Sequence, residues 1–343
     1  MWNNKYYILL VALLIFSSCK KNEVIYDKEK ELPKDTLTFI SDYSYSISAF
    51  TPNEANVSIS FVTFNQLSSK TNYSSDVLLL DTSSASYAYS AQSDIVTSAV
   101  KLNNFSTIFL LEKGSDSWYI DEHNFGFYFR RFLEQTKNNV AIGYYETTSP
   151  NSQVQIFNTD GGSIFNNDPK ENMTEVFNVI SEFNGYNYSI ANVIDKIDQT
   201  ITIYANSYSS MPNKSITTIL PSSYTVMSSD SLLITNLINR AISEGIALNF
   251  ISQINSFDFQ EMASLTGGFT VNNVFTDYNL GYKTPSYVGV TLENLESILL
   301  KDYTYHQYNF KVTNPSGPIV NSGNPTVIGA TYNGVKFNYM LKN

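Results

Sequence analysis

Residues 246–271 carry the pattern that decides the fold. They read Ile246-Ala-Leu-Asn-Phe-Ile, then Asp258-Phe-Gln-Glu-Met-Ala-Ser-Leu-Thr-Gly-Gly-Phe, then Thr270-Val271. The first run follows Gly245 and reads as a strand. Asp258 to Leu265 reads as a short helix closed by Gly267-Gly268, because glycine takes the left-handed conformation that ends helices. Phe269-Thr-Val resumes as a strand. Strand, short helix and strand in succession is the rhythm of a parallel sheet.

Upstream the rhythm repeats. Thr107-Ile-Phe-Leu-Leu is a short apolar run, as expected for a strand buried on both faces. His123 to Lys137 predicts a helix with Phe125, Phe129, Phe132 and Leu133 on one face. Val140-Ala-Ile-Gly-Tyr-Tyr is the next strand, with Gln153-Val-Gln-Ile-Phe pairing beside it. Glu171 to Phe183 is amphipathic through Met173, Val176, Phe177 and Ile180. Tyr188 to Ile203 continues through Ile190, Val193, Ile194 and Ile197, with a β-branched end that weakens the helix. Ser215-Ile-Thr-Thr-Ile-Leu is a strand. Ser228 to Ser231 offers capping side chains to a helix whose stripe runs through Leu233, Ile234, Leu237, Ile238, Ala241 and Ile242 to a stop at Gly245. Residues 105–280 are therefore expected to form an α/β fold, doubly wound, with a mainly parallel sheet and helices on both faces.

The flanks have a different period. In Asn56-Val-Ser-Ile-Ser-Phe, Val57, Ile59 and Phe61 fall on one side and Ser58 and Ser60 on the other, which is the mark of a half-buried strand. Val77-Leu-Leu-Leu and the stretch around Tyr87 and Tyr89 extend this β-region over 36–104. After residue 280, Leu292 to Leu300 reads as a helix and Tyr303 to Val312 alternates as a strand. Val327–Ala330 and Val335–Met340 read as a hairpin about Asn333-Gly334. The strands of 281–343 are expected to complete an antiparallel β-domain with those of 36–104, flanking the α/β unit.

The N-terminus has its own logic. Lys5 precedes an unbroken apolar run, Tyr6 to Phe16, which is too short for a membrane helix and suits a signal peptide. Ser17-Ser18-Cys19 follows, and resembles a bacterial lipoprotein lipobox. That resemblance implies removal of residues 1–18 and acylation of Cys19, with palmitate among the chains. Cys19 is the only cysteine in the 343 residues, so the chain has no internal disulfide to form. Residues 19–35 are a charged tether. The expected location is the cell envelope, on the outer membrane of a Gram-negative bacterium, with the membrane contacted through Cys19. A net charge of −10 and a pI near 4.7 argue against nucleic acid as a partner.

Residues 105–280 resemble a von Willebrand factor type A domain. The order of elements matches, and Asp258 to Phe269 is similar to that family's late helix and Ala-x-x-Thr-Gly-Gly turn. Leu292 to Val312 looks like the helix and returning strand that follow this domain in bacterial members with flanking β-strands. The resemblance implies a metal-ion-dependent adhesion site. Its ligands would be Asp-x-Ser-x-Ser after the first strand, a threonine in a later loop and an aspartate after the fourth strand, which suits a hard cation seeking oxygen. Here the first loop reads Glu112-Lys-Gly-Ser-Asp-Ser. With Glu112 at the aspartate position, Gly114 and Asp116 replace the serines. With Ser115 and Ser117 as the serines, Lys113 replaces the aspartate. The later loops offer Asn184-Gly-Tyr-Asn and Pro221-Ser-Ser. The expectation is a degenerate site with no metal held in the family manner. The remaining arrangement for an ion is Glu112, Asp116 and water.

Catalytic constellations are lacking in the sequence. The two histidines, His123 and His306, stand far apart, and no Gly-x-Ser-x-Gly elbow or phosphate-binding loop is present. Trp118 and Tyr119 offer the ring chemistry that anchors interfaces. The expected function is a non-catalytic binding or adhesion module for a protein or glycan, without cofactor or metal. Its candidate binding residues are Glu112, Ser115, Asp116, Ser117, Trp118, Tyr119, Tyr186, Asn187, Ser222 and Ser223. The alternatives are a scaffolding subunit of an envelope assembly and a glycan hydrolase built on a carboxylate pair.

Overall fold

The computed structural model describes residues 38–51, 53–65, 79–81, 88–113, 127–146, 152–157, 163–165, 188–220, 224–225, 230–252, 256–271, 291–313, 326–332 and 335–341. Cys19, the tether, the segment Glu171 to Phe183 and His123 lie outside them. Lys34–Asn343 is one compact unit. No helix among the described residues is long and apolar enough to cross a membrane.

The strands are β1 (Thr38–Thr51), β2 (Glu54–Asn65), β3 (Leu79–Asp81), β4 (Ala88–Ser98), β5 (Ser106–Lys113), β6 (Asn139–Glu146), β7 (Gln155–Ile156), β8 (Tyr188–Ser189), β9 (Lys214–Leu220), β10 (Tyr224–Thr225), β11 (Ala247–Ser252), β12 (Thr270–Val271), β13 (Thr304–Thr313), β14 (Thr326–Tyr332) and β15 (Val335–Leu341). The helices are α1 (Phe127–Gln135), α2 (Ile190–Ser207), α3 (Ser231–Glu244), α4 (Phe257–Thr266) and α5 (Leu295–Leu299).

One sheet runs in the order β4-β13-β2-β1-β12-β11-β9-β5-β6-β7. Strands β12, β11, β9, β5 and β6 are parallel neighbours. From β5 the chain winds outward to β6 in one direction, then returns through β9, β11 and β12 in the other. This is the expected doubly wound α/β half. Each of its strands sends alternate residues to opposite faces. Phe109, Leu111, Ile142, Ile219 and Ile251 meet α1 and α5 in one core. Ile108, Leu110, Ile216, Leu248 and Phe250 meet α2, α3 and α4 in the other. The Phe109 ring stands edge-on to Phe129 and Phe132 of α1, with centroids 4.9 and 5.6 Å away, a preferred aromatic geometry.

The flanking strands come from both ends of the chain, as expected, and they are antiparallel. They do not form a separate layer: β13 inserts between β2 and β4, and β1 pairs with β12, so they continue the same sheet. Strands β14 and β15 form the expected hairpin and pair with β3 in a three-stranded sheet.

Two local details refine the expectations. The N-cap of α3 is Asp230, inside the stretch Ser228 to Ser231 expected to cap it, and its side chain makes no capping hydrogen bond. Helix α2 begins at Ile190, not Tyr188, and runs through its β-branched stretch to Ser207. Burial of Ile197, Ile201 and Tyr204 against the sheet outweighs the propensity penalty, which is a few tenths of a kcal/mol per residue.

The Thr266-Gly267-Gly268 turn has a structural job. Thr266 Oγ1 donates to the Met262 carbonyl at 2.7 Å and accepts from Leu248 N–H at 3.0 Å, tying the helix end to β11. Gly267 is left-handed (φ 76°), and Gly268 N–H donates back to the Ala263 carbonyl at 2.8 Å. A Cβ on Gly268 would stand 2.0 Å from the Leu248 carbonyl oxygen. The Asn249 amide oxygen accepts from Phe269 N–H, and its nitrogen donates to Thr217, which is bonded to Thr107. The turn is thus clasped to β11, β9 and β5 in series. Gly268→Ala is expected to cost about 3 kcal/mol, because backbone has to move. Gly267→Ala, where only the backbone conformation is opposed, is expected to cost about 1 kcal/mol. Urea denaturation of both variants reads the difference, and equal costs would refute the clasp.

Candidate functional site

In a doubly wound sheet, ligands are met where the strand order reverses, outside the carboxyl ends of the strands. Here the reversal lies between β5 and β9, which are direct neighbours with Leu111 opposite Ile219. Their carboxyl ends are Lys113 and Leu220. The chain therefore leaves the switch point into residues 114–126 on one side and 221–223 on the other. These are the stretches that hold Ser115, Asp116, Ser117, Trp118 and Tyr119, and Ser222 and Ser223. All seven lie outside the described residues.

The third candidate segment is tied to the same edge. Strands β8 and β10 pair in parallel, Tyr224 opposite Tyr188 and Thr225 opposite Ser189. Tyr188 directly follows Tyr186-Asn187 in the chain, and Tyr224 directly follows Ser222-Ser223. Two segments about 35 positions apart are thereby joined at their bases. Tyr186 and Asn187 themselves lie outside the described residues. Ser189 then caps α2, its hydroxyl accepting from Ala191 N–H at 3.3 Å. Sequence reasoning missed this pairing because a two-residue strand has no period to detect.

Glu112 is placed differently from expectation. It belongs to β5, not to the loop after it, and it is fully enclosed (0% exposed). Alternation puts it on the α2–α4 face with Ile108 and Leu110, opposite Tyr145 on β6, which is also enclosed. On α2, Lys196 is buried to 1% exposure. Its ammonium donates to the Ser152 carbonyl and to Asp195 Oδ2, the latter at 2.8 Å. Gln199, one turn on, accepts from Val154 N–H at 3.0 Å. The segment that follows β6 is thus pinned onto α2 by a buried cation and an amide, neither of which the sequence pattern exposed.

Of the first-loop residues that the resemblance would assign to an ion, the structure describes Glu112 and Lys113 alone. Taken as the aspartate equivalent, Glu112 leaves Gly114 without an oxygen side chain, and Lys113 next to it supplies a positive charge. Among the described residues no group of three or more His, Cys, Asp or Glu is placed to hold an ion.

No protein-family model matches the sequence, and no curated protein sequence matches it. Solved structures similar to this one include the N-terminal domain of TFIIH p34 (TM-score 0.32, 14% identity, 48% of this chain and 88% of that chain covered). Manganese-loaded TRAP protein of Plasmodium vivax gives a TM-score of 0.36 at 11% identity, over 71% of this chain and 91% of that chain. The SpRpn10 VWA domain gives 0.34 at 11% identity, over 50% and 88%. The assignment to the doubly wound α/β class stands on this chain's own strand order and two-sided helical cover.

A native-state ligand at 100 times its dissociation constant stabilises by about 2.7 kcal/mol, a melting shift of several degrees. The full chain, in detergent, is expected to show no such rise with millimolar Mg²⁺ or Mn²⁺ against EDTA. A saturable rise would reinstate an ion held by Glu112 and Asp116.

Proposed function

We propose that this chain is an envelope lipoprotein whose α/β half is a non-catalytic, metal-independent binding module for a protein or glycan. It uses the loops at the β5–β9 switch point. The supporting observation is topological. Candidate residues from three distant segments follow or precede elements that meet at one sheet edge: β5, β9 and the β8–β10 pair. Rings, hydroxyls and amides dominate those segments, through Trp118, Tyr119, Tyr186, Asn187, Ser222 and Ser223. Tyr and Trp supply contact area at low entropic cost, and short polar groups supply adaptable hydrogen bonds.

Replacement of Trp118, Tyr119 and Tyr186 together by alanine is expected to weaken retention on glycan and envelope-protein arrays more than tenfold. A triple variant that binds every arrayed component as the parent does would refute the loop edge as the binding surface.

Attachment through Cys19 rests on the apolar run before it and on its being the only cysteine. A multiply acylated cysteine holds firmly, at roughly 0.8 kcal/mol per buried methylene. Cys19→Ala is expected to move the protein from the membrane to the soluble fraction and to abolish labelling by radioactive palmitate. Unchanged labelling in that variant would exclude the assignment.

A further inference from the structure

The chain that precedes β1 enters the sheet at the same edge as the switch-point loops. One row of paired residues fixes the level: Leu111 of β5 stands opposite Ile219 of β9, Ile219 opposite Ile251 of β11, Ile251 opposite Val271 of β12, and Val271 opposite Ser41 of β1. Beyond this row, toward the carboxyl ends of the parallel strands, lie Glu112 and Lys113 on β5 and Leu220 on β9. Strand β1 is antiparallel to β12, so on that same side of the row it carries Ile40, Phe39 and Thr38. Its first residue therefore stands at the carboxyl edge. Strand β1 is four strand spacings from β5, or about 19 Å along the sheet. Residues 19–38 reach at most about 65 Å when fully extended.

Helix α3 brings its first turn to that edge too. It connects the parallel strands β9 and β11, so it runs opposite to both. Ser231 is thus at the carboxyl edge, and Glu244 is near Ala247, which opens β11 opposite Ser215. Leu232 is 66% exposed and Leu233 42%. Thr235, Asn236 and Asn239 are exposed on the same helix, and Ser231 to Asn239 holds no charged residue. The neighbouring helices are solvated differently: α1 exposes Arg130, Arg131 and Glu134, and α2 exposes Asp195. A helix face that meets only water ordinarily carries charge. Depletion of charge around exposed aliphatic side chains is the composition of the centre of a protein–protein interface. A glycan gains no hydrogen bond from a leucine side chain.

From this we infer that the carboxyl edge, with Leu232 and Leu233 at its α3 border, docks a protein held in the same membrane as Cys19. The inference rests on the reading of that edge as the binding surface and of Cys19 as the anchor. It names a protein where that reading leaves protein or glycan, and a neighbour in the membrane where that reading leaves the partner's place open. The anchor keeps Thr38, and with it the docking edge, within the length of residues 19–38 from the membrane. Confinement of both proteins to one membrane raises their effective concentration for each other, which suits a contact built on few apolar anchors.

The test is photo-cross-linking of the full chain in cells of its native host. The photoreactive residue para-benzoylphenylalanine takes the place of Leu232 or, in a separate chain, of Val100, which is 84% exposed between β4 and the amino end of β5. Leu232 is expected to give a discrete, protease-sensitive adduct with a protein of the membrane fraction, and Val100 none. The yield per cell is expected to stay constant as the cells are diluted. With the cross-linker moved to Asn236, Leu232→Asp with Leu233→Asp is expected to lower the yield about tenfold. The cross-linker at Leu233 decides the matter if the Leu232 chain fails to accumulate. No adduct from either leucine position overturns the inference, as does an equal adduct from Val100. A yield that falls on dilution overturns it by placing the partner on another cell, and a protease-resistant smear does so by making the partner a glycan. If these adducts are absent while the triple variant of Trp118, Tyr119 and Tyr186 still loses array retention, the edge remains a binding surface and only the membrane-protein partner is lost.

Discussion

The whole sheet hangs on a two-residue strand. Thr270 and Val271 pair with Phe250 and Ile251 of β11 on one side, and with Asp42 and Ser41 of β1 on the other. They are the join between the parallel half and the antiparallel half. So short a strand cannot hold its register by pairing alone, and the clasp at Thr266-Gly267-Gly268 positions it. A helix end with two glycines, a threonine hydroxyl shared between helix and strand, and an asparagine bridge deliver the chain to β12 at a fixed height. The large close-approach conflict at Gly268 measures how tightly the turn presses on β11. The Thr-Gly-Gly motif is explained by this architecture, and its contacts run to strand residues of the sheet interior.

The two halves obey different solvation rules. The parallel strands have helices on both faces, so their sequences are nearly continuous apolar runs, such as Thr107 to Leu111. Three of the polar groups that enter that interior, Thr107, Thr217 and Asn249, are bonded to one another. Tyr204 shows the same economy. Its phenol donates to the Ser215 carbonyl at 3.0 Å, and burial pushes its pKa above the ordinary range for tyrosine. The antiparallel strands alternate instead, because their rows divide into an apolar face and a hydroxyl–amide face.

These rules explain what could be read from the sequence. Period and punctuation are local, so the strands at 107–111, 140–145 and 215–220, the stop at Gly245 and the 326–341 hairpin are all legible. Pairing across long separations is not local. Nothing in β13 announces that it enters between β2 and β4, and nothing in the Tyr-Ser and Tyr-Thr dipeptides announces β8 and β10. Glu112 was misplaced for a related reason. A carboxylate next to lysine and glycine reads as the start of a loop, yet the β5–β6 ladder continues past it to Lys113 opposite Glu146. A buried carboxylate in a strand is tolerated only with partners, and partners are a property of the fold, not of the local sequence.

The same distinction bears on recognition. The family resemblance implies selectivity by a cation, which draws its ligand by charge and holds it by coordination. In the loops where the resemblance would place those oxygen ligands, the sequence of this chain has rings and amides, at Trp118, Tyr119, Tyr186 and Asn187. Neutral hydrogen bonds each contribute only about 1 kcal/mol net, since water competes for every one. Affinity then has to come from many such bonds made at once on a surface that is already ordered. A sheet supplies that order, because its side chains stand at positions fixed by the ladder and little freedom remains to be lost on binding.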